Sequence, residues 1–148
     1  AAQLAVHDIT RKYNAIVWNP FSVESGTVDA PLARSRKDRK KVAIDQSGRR
    51  AVTHYRVLEN FKQFAHVECQ LETGRTHQIR VHMSSIGHPL LGDDVYGSGK
   101  SPYNITGQAL HARVLGFVHP RTGKYMEFEA PLPDYFQKIL NDLESNGR

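Results

Sequence analysis

The side chains best equipped for chemistry lie in two stretches of the chain. Residues 34–41, RSRKDRKK, set Arg34, Arg36, Lys37, Arg39, Lys40 and Lys41 against a single carboxylate, Asp38. That run alone accounts for the net charge of +5, so the rest of the 148-residue chain is balanced. A cationic stretch focused in a neutral domain suits a polyanion such as nucleic acid, attracted electrostatically and released by salt. A solvated loop that only aids solubility is the other reading of the same run. The second stretch holds Arg75, His77 and Arg80, with Arg75 and His77 at the start of an expected helix, where backbone N–H groups attract anions such as phosphate. A structural duty is the competing reading for both.

Several other chemistries are excluded. GSGKS at 97–101 has the end of a phosphate-binding loop, but the full pattern needs glycine where Asp94 stands, and no apolar strand precedes it. His77 and His82 are five apart, which on a helix turns them away from each other and away from a shared metal. Neither GxSxG nor HExxH occurs. The single cysteine, Cys69, has no internal partner, and no Cys/His cluster has zinc spacing, so a reducing compartment fits best.

The elements that must position these groups follow from periodicity. Residues 1–8 read as the end of an amphipathic helix, with Leu4 and Ala1 or Ala5 at helical spacing and no cap before them. Residues 9–18 alternate as a strand with Ile9, Arg11, Tyr13, Ala15 and Val17 on one face, closed by Pro20. Residues 25–50 show little periodicity and are expected to form a long exposed loop. Residues 51–58 and 64–71 both alternate, which predicts an antiparallel hairpin with Ala65, Val67, Cys69 and Leu71 on one side. After Gly74 the period changes: Ile79, Met83 and Ile86 mark a short helix with Thr76 as N-cap, ending near Gly87. A second hairpin is expected from 108–118 and 124–130, then a closing helix begun by Pro133 or Asp134 with Phe136, Ile139, Leu140 and Leu143 inward.

Hairpins with helices between them, and no repeated strand–helix–strand unit, predict an α+β fold with a mixed, mainly antiparallel sheet and flanking helices. At this length one domain over 1–148 is the expectation, and 39% hydrophobic residues can fill its core. No apolar run approaches the roughly 20 residues of a membrane helix, and the first residues lack a signal-peptide pattern. A soluble, cytoplasmic protein without a membrane partner is expected.

Three ordered blocks carry a family resemblance. Residues 71–97, LETGRTHQIRVHMSSIGHPLLGDDVYG, resemble the signature of RluA-type pseudouridine synthases, while ITRKYNAIV resembles the family's K-x-Y-x-A motif and QALHARVLGFVHPRTGKYMEFEAPLP its C-terminal hairpin. The resemblance implies the pseudouridine synthase fold and the isomerisation of uridine to pseudouridine in structured RNA, ribosomal RNA being preferred over transfer RNA. Substrate and product are isomers, so no cofactor and no metal are implied, and no obligate protein partner. A base inside a helix must be extruded to be modified, at a cost of a few kcal/mol that basic contacts and stacking offset.

The family's motifs map onto particular residues. Arg80 matches the basic residue that pairs with the catalytic carboxylate, a task suited to a permanently charged, rigid fork. Tyr13 matches the active-site tyrosine, whose ring stacks on the base and whose hydroxyl can help move the C5 proton. Leu110 matches a leucine of the pocket wall. Arg34, Arg36, Lys37, Arg39, Lys40, Lys41, Arg75 and His77 are the candidates for RNA contact.

One departure is serious. The family's catalytic aspartate lies in an H-R-L-D motif upstream of K-x-Y-x-A, and no such motif occurs here. Asp93 and Asp94 sit in LLGDDVYG, which the resemblance marks as a structural turn, and no other aspartate lies in a matching context. The expectation is the C-terminal part of a catalytic domain, inactive alone because its upstream half is cut off or not built. The rival reading is a non-catalytic RNA-binding module on the same scaffold.

Overall fold

The computed structural model describes residues 9–147, so the helix expected over residues 1–8 lies outside the described residues. Its centre is β1 (Ile9–Trp18), paired antiparallel on one side with β6 (Phe64–Leu71) and on the other with β7 (Leu110–Val118). Beyond β6 lie β5 (Val52–Asn60) and the edge strand β2 (Ser25–Asp29), and beyond β7 lies β8 (Tyr125–Glu129), giving the order β2-β5-β6-β1-β7-β8. Every pairing in this sheet is antiparallel, where a mixed sheet was also open from the sequence.

Alternation in β1 and β6 sends side chains to two covered faces. Ala15, Val17, Ala65, Val67, Cys69 and Leu71 pack on one face against Ile79 and Met83 of α1 (Gln78–Ser85). Ile16 and Phe64 pack on the other against Phe136, Ile139, Leu140 and Leu143 of α2 (Asp134–Asn146), the four positions its periodicity predicts. Pro133 occupies the position before α2 in extended conformation, Asp134 complements the positive end of its dipole, and Gly147 closes it in the left-handed conformation at φ 64°. Each of those four apolar side chains contributes roughly 1.5–3 kcal/mol by leaving water.

The long loop expected over 25–50 is instead β2 and a separate antiparallel ribbon of β3 (Leu32–Arg34) and β4 (Val42–Ile44). These strands are too short to show alternation. They are held by Leu32 and Val42, which pack with Ala51 and Val81 in a third apolar cluster. The basic run forms the turn of the ribbon, where Ser35 Oγ accepts from the N–H groups of Lys37 and Asp38, each at 3.2 Å, and Asp38 accepts from that of Lys40. With the sheet on one side and the ribbon on the other, α1 is buried at Gln78, Ile79, Val81, His82 and Met83, whereas Ile86 is exposed.

Thr76 does not cap α1. His77 takes the position before the helix in the left-handed conformation at φ 57°, and the preceding loop is anchored by a glutamine one residue later. The Gln78 side-chain nitrogen donates to Val52 O (3.0 Å) and Thr53 Oγ1 (2.9 Å), while its oxygen accepts from Thr73 Oγ1 (2.8 Å) and the Arg75 N–H (3.0 Å). All four capacities of the carboxamide are thus used. Thr53 in turn donates to Nδ1 of buried His82, whose Nε2–H donates to Ala30 O.

Two outcomes follow from this packing. Gln78→Leu strands several buried polar groups and should lower stability by on the order of 3 kcal/mol, read as a lower urea midpoint with an unchanged slope. Burial pushes His66, which donates to Asn14 Oδ1 beside Phe136, down to about 4. The unfolded imidazole, at about 6.5, therefore binds the proton first, and stability falls as pH drops from about 6.5 towards the folded value. His66→Gln should flatten that part of the urea-midpoint profile, by on the order of 2 kcal/mol at pH 4.5 after allowing for partial exposure.

Candidate functional site

The middle of β1, the end of β6, the start of β7 and the start of α1 surround a cleft of about 340 Å³ lined by Tyr13, Leu71, Arg75, His77, Gln78, Ile79, Arg80, Gln108 and Leu110. Tyr13, Leu110, Arg80, Arg75 and His77, which the sequence nominates from distant segments, therefore share one cavity. Tyr13 stands opposite Cys69 of β6 and Ala112 of β7, and the β1–β7 register shifts between Lys12 and Tyr13. Such an irregularity re-aims a side chain at a sheet's working end. Both Tyr13 and Leu110 are half-buried against the apolar cluster beneath α1, which gives the cleft a firm apolar wall.

Arg80 supplies the opposite, charged side. Its Nε and Nη2 donate to the two carboxylate oxygens of Asp93 at 2.8 and 3.0 Å, in a pair whose side chains are 12% and 1% exposed. Asp93 Oδ1 also accepts from the N–H groups of Val95 and Tyr96, and the Tyr96 ring lies 5.0 Å from the guanidinium carbon. Burial favours the neutral acid at Asp93, but the hydrogen bonds from Arg80, Tyr96 and Val95 outweigh it and hold the carboxyl below its ordinary value. The same hydrogen bond raises Arg80 above its ordinary value. Asp93 is thus a turn residue, as the sequence implies, and also the anchor of Arg80. Thirteen positions separate the two, and no local pattern announces the pairing.

His77 is oriented through Tyr96. The Tyr96 hydroxyl accepts from the Val42 N–H at 2.9 Å and lies 2.7 Å from His77 Nδ1. That hydrogen bond holds the imidazole in place whichever ring nitrogen carries the proton of the neutral form. Burial, followed by the Arg80 charge, lowers the His77 pKa and favours that neutral ring. Among the described residues no carboxylate lines the cleft, and no group of three or more His, Cys, Asp or Glu side chains could hold a metal.

The basic run is placed differently. Arg36, Lys37, Arg39, Lys40 and Lys41 are exposed around the ribbon's turn and line none of the cleft, and Arg36 lies 3.5 Å from Asp45. Only Arg34 approaches it, lining a neighbouring groove that shares Arg75 with the cleft. Gln78, Gln108, Tyr96 and Asp93 were not singled out by their chemistry, because their importance depends on partners brought together by the fold.

Known proteins of one family resemble this chain in sequence and in fold. A family model of RNA pseudouridylate synthases matches residues 1–85. An uncharacterised RNA pseudouridine synthase of Bacillus subtilis is 55% identical over 98% of this chain and 48% of its own length. The ribosomal large subunit pseudouridine synthase D of Zymomonas mobilis is 51% identical over 100% of this chain and 49% of its own. The chain spans about half the length of these curated relatives. In fold, human RNA pseudouridylate synthase domain containing 4 superposes with a TM-score of 0.72 at 27% identity, covering 92% of this chain and 62% of that one. Human RNA pseudouridylate synthase domain containing 1 gives 0.74 at 24% identity, covering 94% and 67%. With a family match over more than half its residues and an α+β fold shared with solved members, the chain belongs to the RNA pseudouridylate synthase family.

Proposed function

We propose that the cleft is the uridine-holding part of an RNA pseudouridine synthase site whose attacking carboxylate comes from outside these 148 residues. The observation that carries this reading is the meeting of Tyr13, Arg80 and Leu110 around one cavity that no carboxylate lines among the described residues. A uracil drawn out of its helix stacks on Tyr13, worth about 1–3 kcal/mol, and rests on Leu110 and Leu71. Isomerisation breaks the bond from C1′ to N1, joins C1′ to C5, removes the C5 proton and returns a proton to N1. The Tyr13 hydroxyl is suited to relay the C5 proton. Arg80 uses two of its five N–H groups on Asp93 and keeps others for the incoming carboxylate, which its charge holds ionised. Structured ribosomal RNA is the proposed substrate class, in keeping with the name of the Zymomonas relative, and the cytoplasm the proposed compartment.

The rival, a binding module without catalysis, predicts RNA affinity in the same cleft and no product in any context. The 148-residue chain alone should yield no pseudouridine from a ribosomal RNA transcript analysed by mass spectrometry of its nucleosides. A polypeptide extended upstream through an H-R-L-D segment should yield it, and failure of the extended protein on every RNA offered favours the binding module. In that extended protein Tyr13→Phe should cut turnover by about 10²-fold or more with little change in RNA affinity, because it removes only the proton relay.

A further inference from the structure

Beside the uridine cleft lies a second concavity that the proposed chemistry does not use. It measures about 240 Å³, lies between the β3–β4 ribbon and the loop after β6, and is lined by Arg34, Arg49, Gly74, Arg75 and Thr76 among others. The two cavities adjoin, with Arg75 lining both. Arg49 is fixed there by its backbone, which exchanges both hydrogen bonds with Leu32 at 2.9 Å. Arg75 is fixed by donating its Nε–H to Arg50 O at 2.8 Å, and Arg34 by donating Nη1–H to Arg39 O at 2.8 Å.

The guanidinium groups are gathered here without matching carboxylates. Arg11 reaches under Gly74, where a Cβ would come within 2.6 Å of its Nη1, and its buried Nε has no hydrogen-bond partner among the described residues. None of the groove's lining residues is a carboxylate, and Glu72, in the loop after β6, is already occupied by Arg50 at 3.1 Å and His54 at 2.5 Å. Burial, then the charges of Arg49, Arg50 and Arg11, lower the Arg75 pKa, the signature of cations held together against repulsion. A fold that holds like charges together in a concave site gains when an anion enters it.

We propose that this groove, through Arg34, Arg49 and Arg75, binds a phosphodiester of the RNA strand directly flanking the nucleotide whose base enters the Tyr13 cleft. The inference rests on the proposed uridine-holding role. It adds an anchor that fixes the backbone beside the extruded base and so sets how far the base reaches. Arg75 spans both cavities and ties the position of the phosphate to that of the uracil.

The test uses the 148-residue chain and a hairpin RNA with one unpaired loop uridine. Affinity is measured from 50 to 300 mM salt for wild type, Arg34→Gln, Arg49→Gln and Arg121→Gln, which removes an equal charge at the exposed β7–β8 turn. Circular dichroism confirms that each variant is folded. Each groove variant should reduce the slope of log affinity against log salt by about 0.7–0.9, while Arg121→Gln leaves it unchanged. A neutral methylphosphonate immediately 5′ or 3′ of the uridine should weaken wild-type binding several-fold at one of those positions, and should have little further effect on the Arg34→Gln/Arg49→Gln double variant. Groove variants that match Arg121→Gln, or a methylphosphonate effect undiminished in the double variant, would overturn the proposal. So would an equal slope loss with polyglutamate in place of RNA. An abasic site in place of the uridine tests the cleft separately: affinity insensitive to the missing base counts against the uridine reading, whereas the Arg34 and Arg49 slopes still judge the groove.

Discussion

One side-chain amide decides where the working residues of this protein can be. Gln78 enters the interior at the first turn of α1 and binds Val52 and Thr53 of β5 with its nitrogen, and Thr73 and Arg75 of the preceding loop with its oxygen. A buried amide is tolerated only when satisfied, and a satisfied one admits a single arrangement of its neighbours. The loop over residues 72–77 is therefore as firmly placed as a strand, although it has no regular structure of its own. Arg75 and His77 ride on that loop and Arg80 follows one turn later, so the charged side of the cleft, and the one arginine it shares with the neighbouring groove, take their position from this amide.

A second anchor acts on the other end of the same motif. Arg80 and Asp93 form a forked, nearly buried pair, and Asp93 is locked by two backbone donors of its own turn. Removing either partner of such a pair leaves an uncompensated buried charge, at a cost of about 3–5 kcal/mol. Its value here is positional: the guanidinium is held rigid against the Tyr96 ring before any ligand arrives. A group fixed in advance loses no freedom on binding, which is how a small cleft can direct a reaction.

The sequence is readable where one residue pattern meets one environment. The inward face of α2, the β5–β6 hairpin and the strand of Tyr13 follow from periodicity, because each presents a simple alternation or helical stripe to the core, and the β7–β8 hairpin follows from its alternation and turn residues although β8 is exposed. The β2, β3 and β4 strands do not, since these strands of three to five residues bury only one apolar group each and lie amid Gly, Pro, Ser and basic residues. Thr76 is a reasonable cap by type, but the loop is already held by Gln78, and His77 adopts the left-handed turn instead. For the site, motif resemblance nominates Tyr13, Arg80 and Leu110, and the fold gathers them. The pairing of Arg80 with Asp93 and the convergence of Arg11, Arg49 and Arg75 are products of tertiary geometry, which no local spacing encodes.

The central place of β1 bears on how the protein reaches its native state. Tyr13 stands opposite Ala112, and Leu110 opposite Ala15, so the two apolar walls of the cleft lie on strands whose meeting closes most of the chain into a loop. Closing so large a loop loses conformational entropy before any contact rewards it, and sheets built from such distant pairings assemble slowly. The pocket cannot exist in a partly assembled chain that has formed only its local hairpins. It needs the β1–β6 and β1–β7 registers and the start of α1 together, so the cleft is a property of the assembled centre of the sheet.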